Sequence, residues 1–153
     1  MRIWILVVCA TGCATRTPAP SCATDVTVDG TALDVTVLPP GNLTDGAAIW
    51  LELSTHDATE QDVIVAMNGL RAGDQAPTDN ISVEYRVYPT SGPPTTDVIA
   101  MGAQLTGVVS VDTIATFPGD HTTGCFELTT RDAPAIHVSA SFDGVLLAPQ
   151  PGF

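Results

Sequence analysis

Residues 81–88 read Ile81-Ser82-Val83-Glu84-Tyr85-Arg86-Val87-Tyr88 (ISVEYRVY), and their alternation decides the fold. A period of two places Ile81, Val83, Tyr85 and Val87 on one face and Ser82, Glu84, Arg86 and Tyr88 on the other. A helix would scatter these residues around its circumference, whereas a strand sorts them into a face for the core and a face for water. Upstream, residues 62–68 (DVIVAMN) form a β-branched run closed by Asn68-Gly69, and residues 47–54 (AAIWLELS) form another. Within the second, Trp50 is expected to be the aromatic anchor of the core. Further upstream, Asp25–Val28 and residues 33–38 alternate around an Asp29-Gly30 turn, which predicts a hairpin or a bent first strand. Downstream, residues 98–104 and 108–117 supply one or two strands, 125–130 (CFELTT) another and 135–142 (AIHVSASF) the last long one, with 145–147 as a short edge.

Pro-Pro-Gly, Asn-Gly, Ser-Gly-Pro-Pro and Asp-Ala-Pro punctuate these runs, and no segment keeps a helical period over three turns. Residues 57–66 contain helix formers, yet Val63-Ile64-Val65 is β-branched, so at most a short helical turn precedes a strand there. The fold class is therefore all-β, an antiparallel β-sandwich of about 7–9 strands. Phe117-Pro118-Gly119-Asp120-His121-Thr122, leading into Cys125-Phe126-Glu127-Leu128, resembles the apolar-Pro-Gly-x-Tyr corner of bacterial immunoglobulin-like and fibronectin-type domains. The resemblance implies an immunoglobulin-like sandwich whose penultimate strand starts near Cys125. Here His121 replaces the corner tyrosine, so it takes on a structural hydrogen bond of its own.

Seventeen acidic residues face five basic ones, all arginine, for a net charge of −12. A surface of that sign repels phosphate backbones and anionic lipid headgroups, which excludes nucleic acid as a partner and excludes a polybasic membrane patch. The aspartates fall mostly at strand ends and turns, where they bond to nearby backbone and keep the surface soluble.

The N-terminus carries the address. Arg2 is followed by a short apolar run, residues 3–10, and then by Ala10-Thr11-Gly12-Cys13. The run is far short of the ~20 residues a spanning helix needs. It resembles the lipobox signal of bacterial lipoproteins, which implies a signal peptide over 1–12 and diacylglycerol on Cys13. Cys9 is the poorer lipid site because bulky Val8 precedes it, and a simple secretory cut near Ala14 or Ala19 is the rival reading. Ala14 is not the aspartate associated with inner-membrane retention, so the resemblance leans to the outer membrane.

Residues 13–21, with Pro18 and Pro20, read as the lipidated cysteine and a flexible tether, 22–148 as the sandwich domain and 149–153 as a tail. The lipobox resemblance further implies that Cys9 leaves with the signal and Cys13 carries lipid. Cys22 and Cys125 are then expected to pair in an oxidising compartment, tying the N-terminal edge to the penultimate strand.

Reactive constellations are missing from the sequence: there is no Gly-x-Ser-x-Gly elbow, no His-Glu-x-x-His, no phosphate-cradling loop and no EF-hand loop. The densest cluster is His56, Asp57, Glu60 and Asp62. It is a candidate Ca²⁺ or transition-metal site set against the simpler reading of a solvated acidic loop. His137 alternates with apolar Ile136 and Val138 and is expected on a strand surface. The leading function is thus a lipid-anchored, non-catalytic module that needs no cofactor and binds an envelope protein or glycan. A cation-dependent module comes second. An enzyme comes third, and it would need His56, His121 and aspartates to be gathered by the fold.

Overall fold

The computed structural model describes residues 22–38, 45–55, 60–89, 93 and 95–148. Among the described residues eleven strands follow one another: β1 (Asp25–Val28), β2 (Thr31–Ala32), β3 (Thr36–Leu38), β4 (Ile49–Ser54), β5 (Glu60–Met67), β6 (Gly73–Gln75), β7 (Ile81–Tyr88), β8 (Thr95–Met101), β9 (Leu105–Thr113), β10 (His121–Thr130) and β11 (Ile136–Val145). Eight of these have four residues or more, within the number expected from sequence, and β2, β3 and β6 are shorter pieces. Every pairing is antiparallel. One sheet runs β2-β1-β11-β10-β9-β6 and the other β3-β4-β5-β7-β8, so the molecule is an all-β sandwich. Among the described residues no helix is long and apolar enough to cross a membrane.

The core between the sheets follows from the period-two pattern. Leu51, Leu53, Val63, Val65, Met67, Ile81 and Val83 face inward from the five-stranded sheet, opposite Val26, Val109, Phe126, Leu128, Ile136 and Val138 of the other. Phe126 and Phe142 stack with ring centroids 6.5 Å apart. Tyr85, also inward, ends its ring in a hydrogen bond from its hydroxyl to Gln61 Oε1, which satisfies the one polar atom it carries inside.

The layers are also tied by a buried polar clamp. Thr122 on β10 donates from Oγ1 to the Gly46 carbonyl, ahead of β4, and accepts from the Ala115 N–H. A Cβ at Gly46 would run into the Ala115 carbonyl, so only glycine lets the two loops close on Thr122.

Trp50 departs from the sequence expectation. Ile49, Leu51 and Leu53 take the inward positions of β4, and parity turns Trp50 outward, where it is 59% exposed. It is a surface residue and contributes nothing to the core. The Asp29-Gly30 turn, with both residues at positive φ, 49° and 76°, joins β1 to the two-residue β2, while the expected second arm, residues 33–38, instead supplies β3 to the other sheet, beside β4.

Cys22 and Cys125 are paired, with Cα atoms 5.2 Å apart. On β10 the inward positions are Thr122, Gly124, Phe126 and Leu128, so Cys125 points to the outer side of the six-stranded sheet. The bridge therefore lies outside the core. The segment entering the domain is held there a second time, since Ser139 of β11 donates to the Ala23 carbonyl at 2.9 Å.

Candidate functional site

The two outer faces of the sandwich differ in chemistry. On the six-stranded sheet the outer side carries the entering segment, the Cys22–Cys125 bridge and hydroxyls. It also carries two histidine pairs. His121 Nδ1 meets Asp143 Oδ1 at 2.5 Å, both well exposed. His137 lies between Thr129 Oγ1, 3.0 Å from Nδ1, and Asp25, 3.8 Å from Nε2. Register places Thr129 opposite His137 and Val145 opposite His121, so eight residues of β10, roughly 26 Å, separate the two pairs. They do not converge on one site. His121, the first residue of β10, thus makes an exposed side-chain pair across to β11.

Asp120 next to His121 organises the turn itself. Its Oδ2 accepts from the Phe117 N–H at 2.9 Å and from the Thr116 N–H and hydroxyl at 3.3 Å. These bonds, Phe117 foremost and then Thr116, hold the carboxyl below the usual aspartate range.

The outer face of the five-stranded sheet carries three of the exposed large hydrophobic side chains of the described residues, the others, Phe117 and Leu147, lying in the turn before β10 and after β11. Strand register lays them out in rows. Trp50, Ala66, Ser82 and Met101 stand side by side across β4, β5, β7 and β8. Glu52, Ile64, Glu84 and Ile99 form the next row, extended onto β3 by Leu38. Ser54, Asp62 and Arg86 belong to the third. Trp50, Ile99 at 54% and Met101 at 49% exposure are among the largest exposed hydrophobic side chains of the described residues, and all three lie on this one face. Scattered apolar surface residues are ordinary, and it is the presence of three on one sheet face that singles this face out.

Between Trp50 and Met101 the row contains only Ala66 and Ser82. The tall ends and small middle make a notch about 14 Å wide, three strand spacings, floored by short side chains. Its rear wall is the second row, where Ile64 is 4% exposed between the two glutamates.

The charge on this face is mostly negative. Arg86 chelates Glu84 through Nε and Nη2, each at 3.0 Å. Glu52 is pushed above the usual carboxylate range, first by burial and then by the negative charge of Asp62, with Glu60 adding to it and Arg86 offsetting part. Asp62 is 2% exposed, and its Oδ1 has no hydrogen-bond partner, so an uncompensated carboxyl oxygen sits behind Glu52.

The candidate metal cluster is only partly within the described residues. His56 and Asp57 lie outside the described residues. Glu60 and Asp62 do not form a solvated loop: they open β5, and the inward pull of Gln61, Val63 and Val65 fixes both on the outer face, with Asp62 buried. Among the described residues no group of three or more His, Cys, Asp or Glu side chains is arranged to hold a metal ion. Sequence reasoning missed Trp50, Glu52, Ile99 and Met101 as surface residues. The available signal was parity, because Glu52 and Ser54 share the face of Trp50. No protein-family model, curated protein or solved structure matches this chain.

Proposed function

We propose that this chain is an exported lipoprotein module of a bacterial cell envelope, anchored through Cys13 to the outer membrane and carrying no chemistry of its own. It binds another envelope component through the outer face of its five-stranded sheet. One observation carries this reading: the chain enters the domain on one outer face, at Cys22 and Ala23, while Trp50, Ile99 and Met101 open on the opposite face. A module tethered on one side and apolar on the other is oriented to hold a partner away from its anchor. The Ala10-Thr11-Gly12-Cys13 motif and the Cys22–Cys125 pairing support an exported address. The residues 13–21 would stand the domain some 20–25 Å off the surface if extended at about 3 Å per residue.

Two measurements test the reading. Cys13→Ser should move the protein from the membrane pellet to the soluble exported fraction, and a variant that still pellets and has the same lipid labelling as the parent contradicts the anchor. After removal of the leader with Trp4, Trp50 is the single tryptophan, so its emission reports the face directly. Envelope fractions lacking this protein should reduce iodide quenching of Trp50. Unchanged quenching contradicts the surface.

A further inference from the structure

The notch between Trp50 and Met101 has the chemistry to select its occupant, and this selection rests on the reading of that sheet face as the binding surface. Its floor is Ala66 and Ser82, its ends are a tryptophan and a methionine, and its rear wall presents the Glu52 and Glu84 carboxylates. We propose that it takes a lysine or arginine side chain from a partner polypeptide, with the aliphatic stem across the floor and the cation at Glu52.

Three features of the face argue for this occupant. First, long cationic side chains bury an apolar stem while keeping a charged head at a polar partner, which matches a small-residue floor ending in carboxylates. Second, an exposed tryptophan beside an acid favours a cation through its ring face as well as through charge. Third, the local field is unsatisfied. Glu84 is paired with Arg86, but Glu52 is raised by burial and by Asp62 and Glu60, and Asp62 carries its own orphaned buried oxygen. An incoming cation relieves that repulsion, whereas an anion adds to it. The whole chain, at net −12 and without a lysine, reinforces the same selection and disfavours a second copy of itself.

Glu52→Gln isolates the local term. A carboxyl whose pKa is raised on folding lowers stability as pH climbs from the ordinary carboxylate range through the raised value, so removing its charge is expected not to lower stability at neutral pH. Thermal midpoints of the variant and the parent, measured beside the titrations, separate loss of binding from loss of structure. Asp112→Asn, which removes one exposed charge on β9 of the other sheet, serves as its control.

The probes are three: an acetylated, amidated heptapeptide alternating lysine and valine, its glutamate–valine counterpart, and a hexamer of N-acetylglucosamine. They are titrated against the mature chain with Trp50 emission and calorimetry as readouts. The lysine peptide is expected to bind saturably, to shift Trp50 emission and to weaken with salt. Glu52→Gln should lower its affinity about tenfold and Asp112→Asn by less than about twofold.

Equal losses in the two variants would show attraction to the overall charge alone, and would overturn the inference. Binding of the glutamate peptide or the sugar at Trp50, without the lysine peptide, would overturn the partner class and leave the surface standing. If no probe moves Trp50 emission, the inference falls, and the envelope quenching experiment decides the surface independently.

Discussion

Trp50 and Phe126 are both large aromatic residues on central stretches of strand, and only parity separates them. Phe126 takes an inward position of β10 and is fully buried, while Trp50 takes an outward position of β4. Truncating a buried aromatic removes its transfer free energy and leaves a cavity, so Phe126→Ala should cost about 3–5 kcal/mol. Trp50→Ala should change stability by no more than ~0.5 kcal/mol, and native Trp50 emission should be red-shifted and readily quenched by iodide. Urea midpoints of the two variants check the contrast, and a large loss in Trp50→Ala would return the residue to the core. In AAIWLELS the size of tryptophan suggests burial, but Glu52 and Ser54 occupy the same parity and already mark that side as outer. Asp62 shows the opposite difficulty. Its neighbours Gln61 and Val63 fix its side of β5, and no sequence pattern reveals that the outer face would bury it.

Among the elements, those with clean alternation were the most legible. ISVEYRVY becomes β7 over the residues expected, with Ile81, Val83 and Tyr85 buried. The region from 95 to 117 was harder, because its glycines mislead. Gly102, at φ 50°, ends β8 in a single 3-10 turn, whereas Gly107, at φ 125°, lies inside β9 and does not interrupt it. A Cβ at Gly107 would meet the Glu127 carbonyl and Leu128 of β10, so this glycine permits a close approach between paired strands. The turn before β10 is held by the Asp120 carboxylate, and its support depends on charge. A carboxyl depressed on folding contributes stability above its unfolded pKa, and that contribution is lost as pH falls through the lower folded value. The stability gap between the parent and Asp120→Ala should accordingly be widest near neutral pH and narrow below the ordinary aspartate range. Thermal midpoints of both proteins across pH 2–7, roughly the range that brackets carboxylate titration, test this. A gap independent of pH would assign the turn's support to something other than the ionised carboxylate.

At the scale of the whole molecule, the cross-link spans most of the described chain, with a sequence separation of 103. In the chain-entropy model a loop of that length contributes about 4–5 kcal/mol by restricting the unfolded state. Reduction should therefore lower the urea midpoint markedly, and thiol labelling of Cys22 and Cys125 should appear only after reductant is added. Full labelling in the protein under oxidising conditions would show that the bond is not formed. The same bridge also determines where a pull arrives. Without it, tension from the chain ahead of Cys22 would reach β1 first, a four-residue strand next to the short β2 at the sheet's margin, and unzip it from β11 pair by pair. With it, tension passes through sulfur to Cys125 in the middle of β10, a strand gripped along its length by β9 and β11. Displacing β10 means breaking two ladders at once, so a tug on the leading segment is resisted before it reaches the opposite face, with Trp50 and its notch.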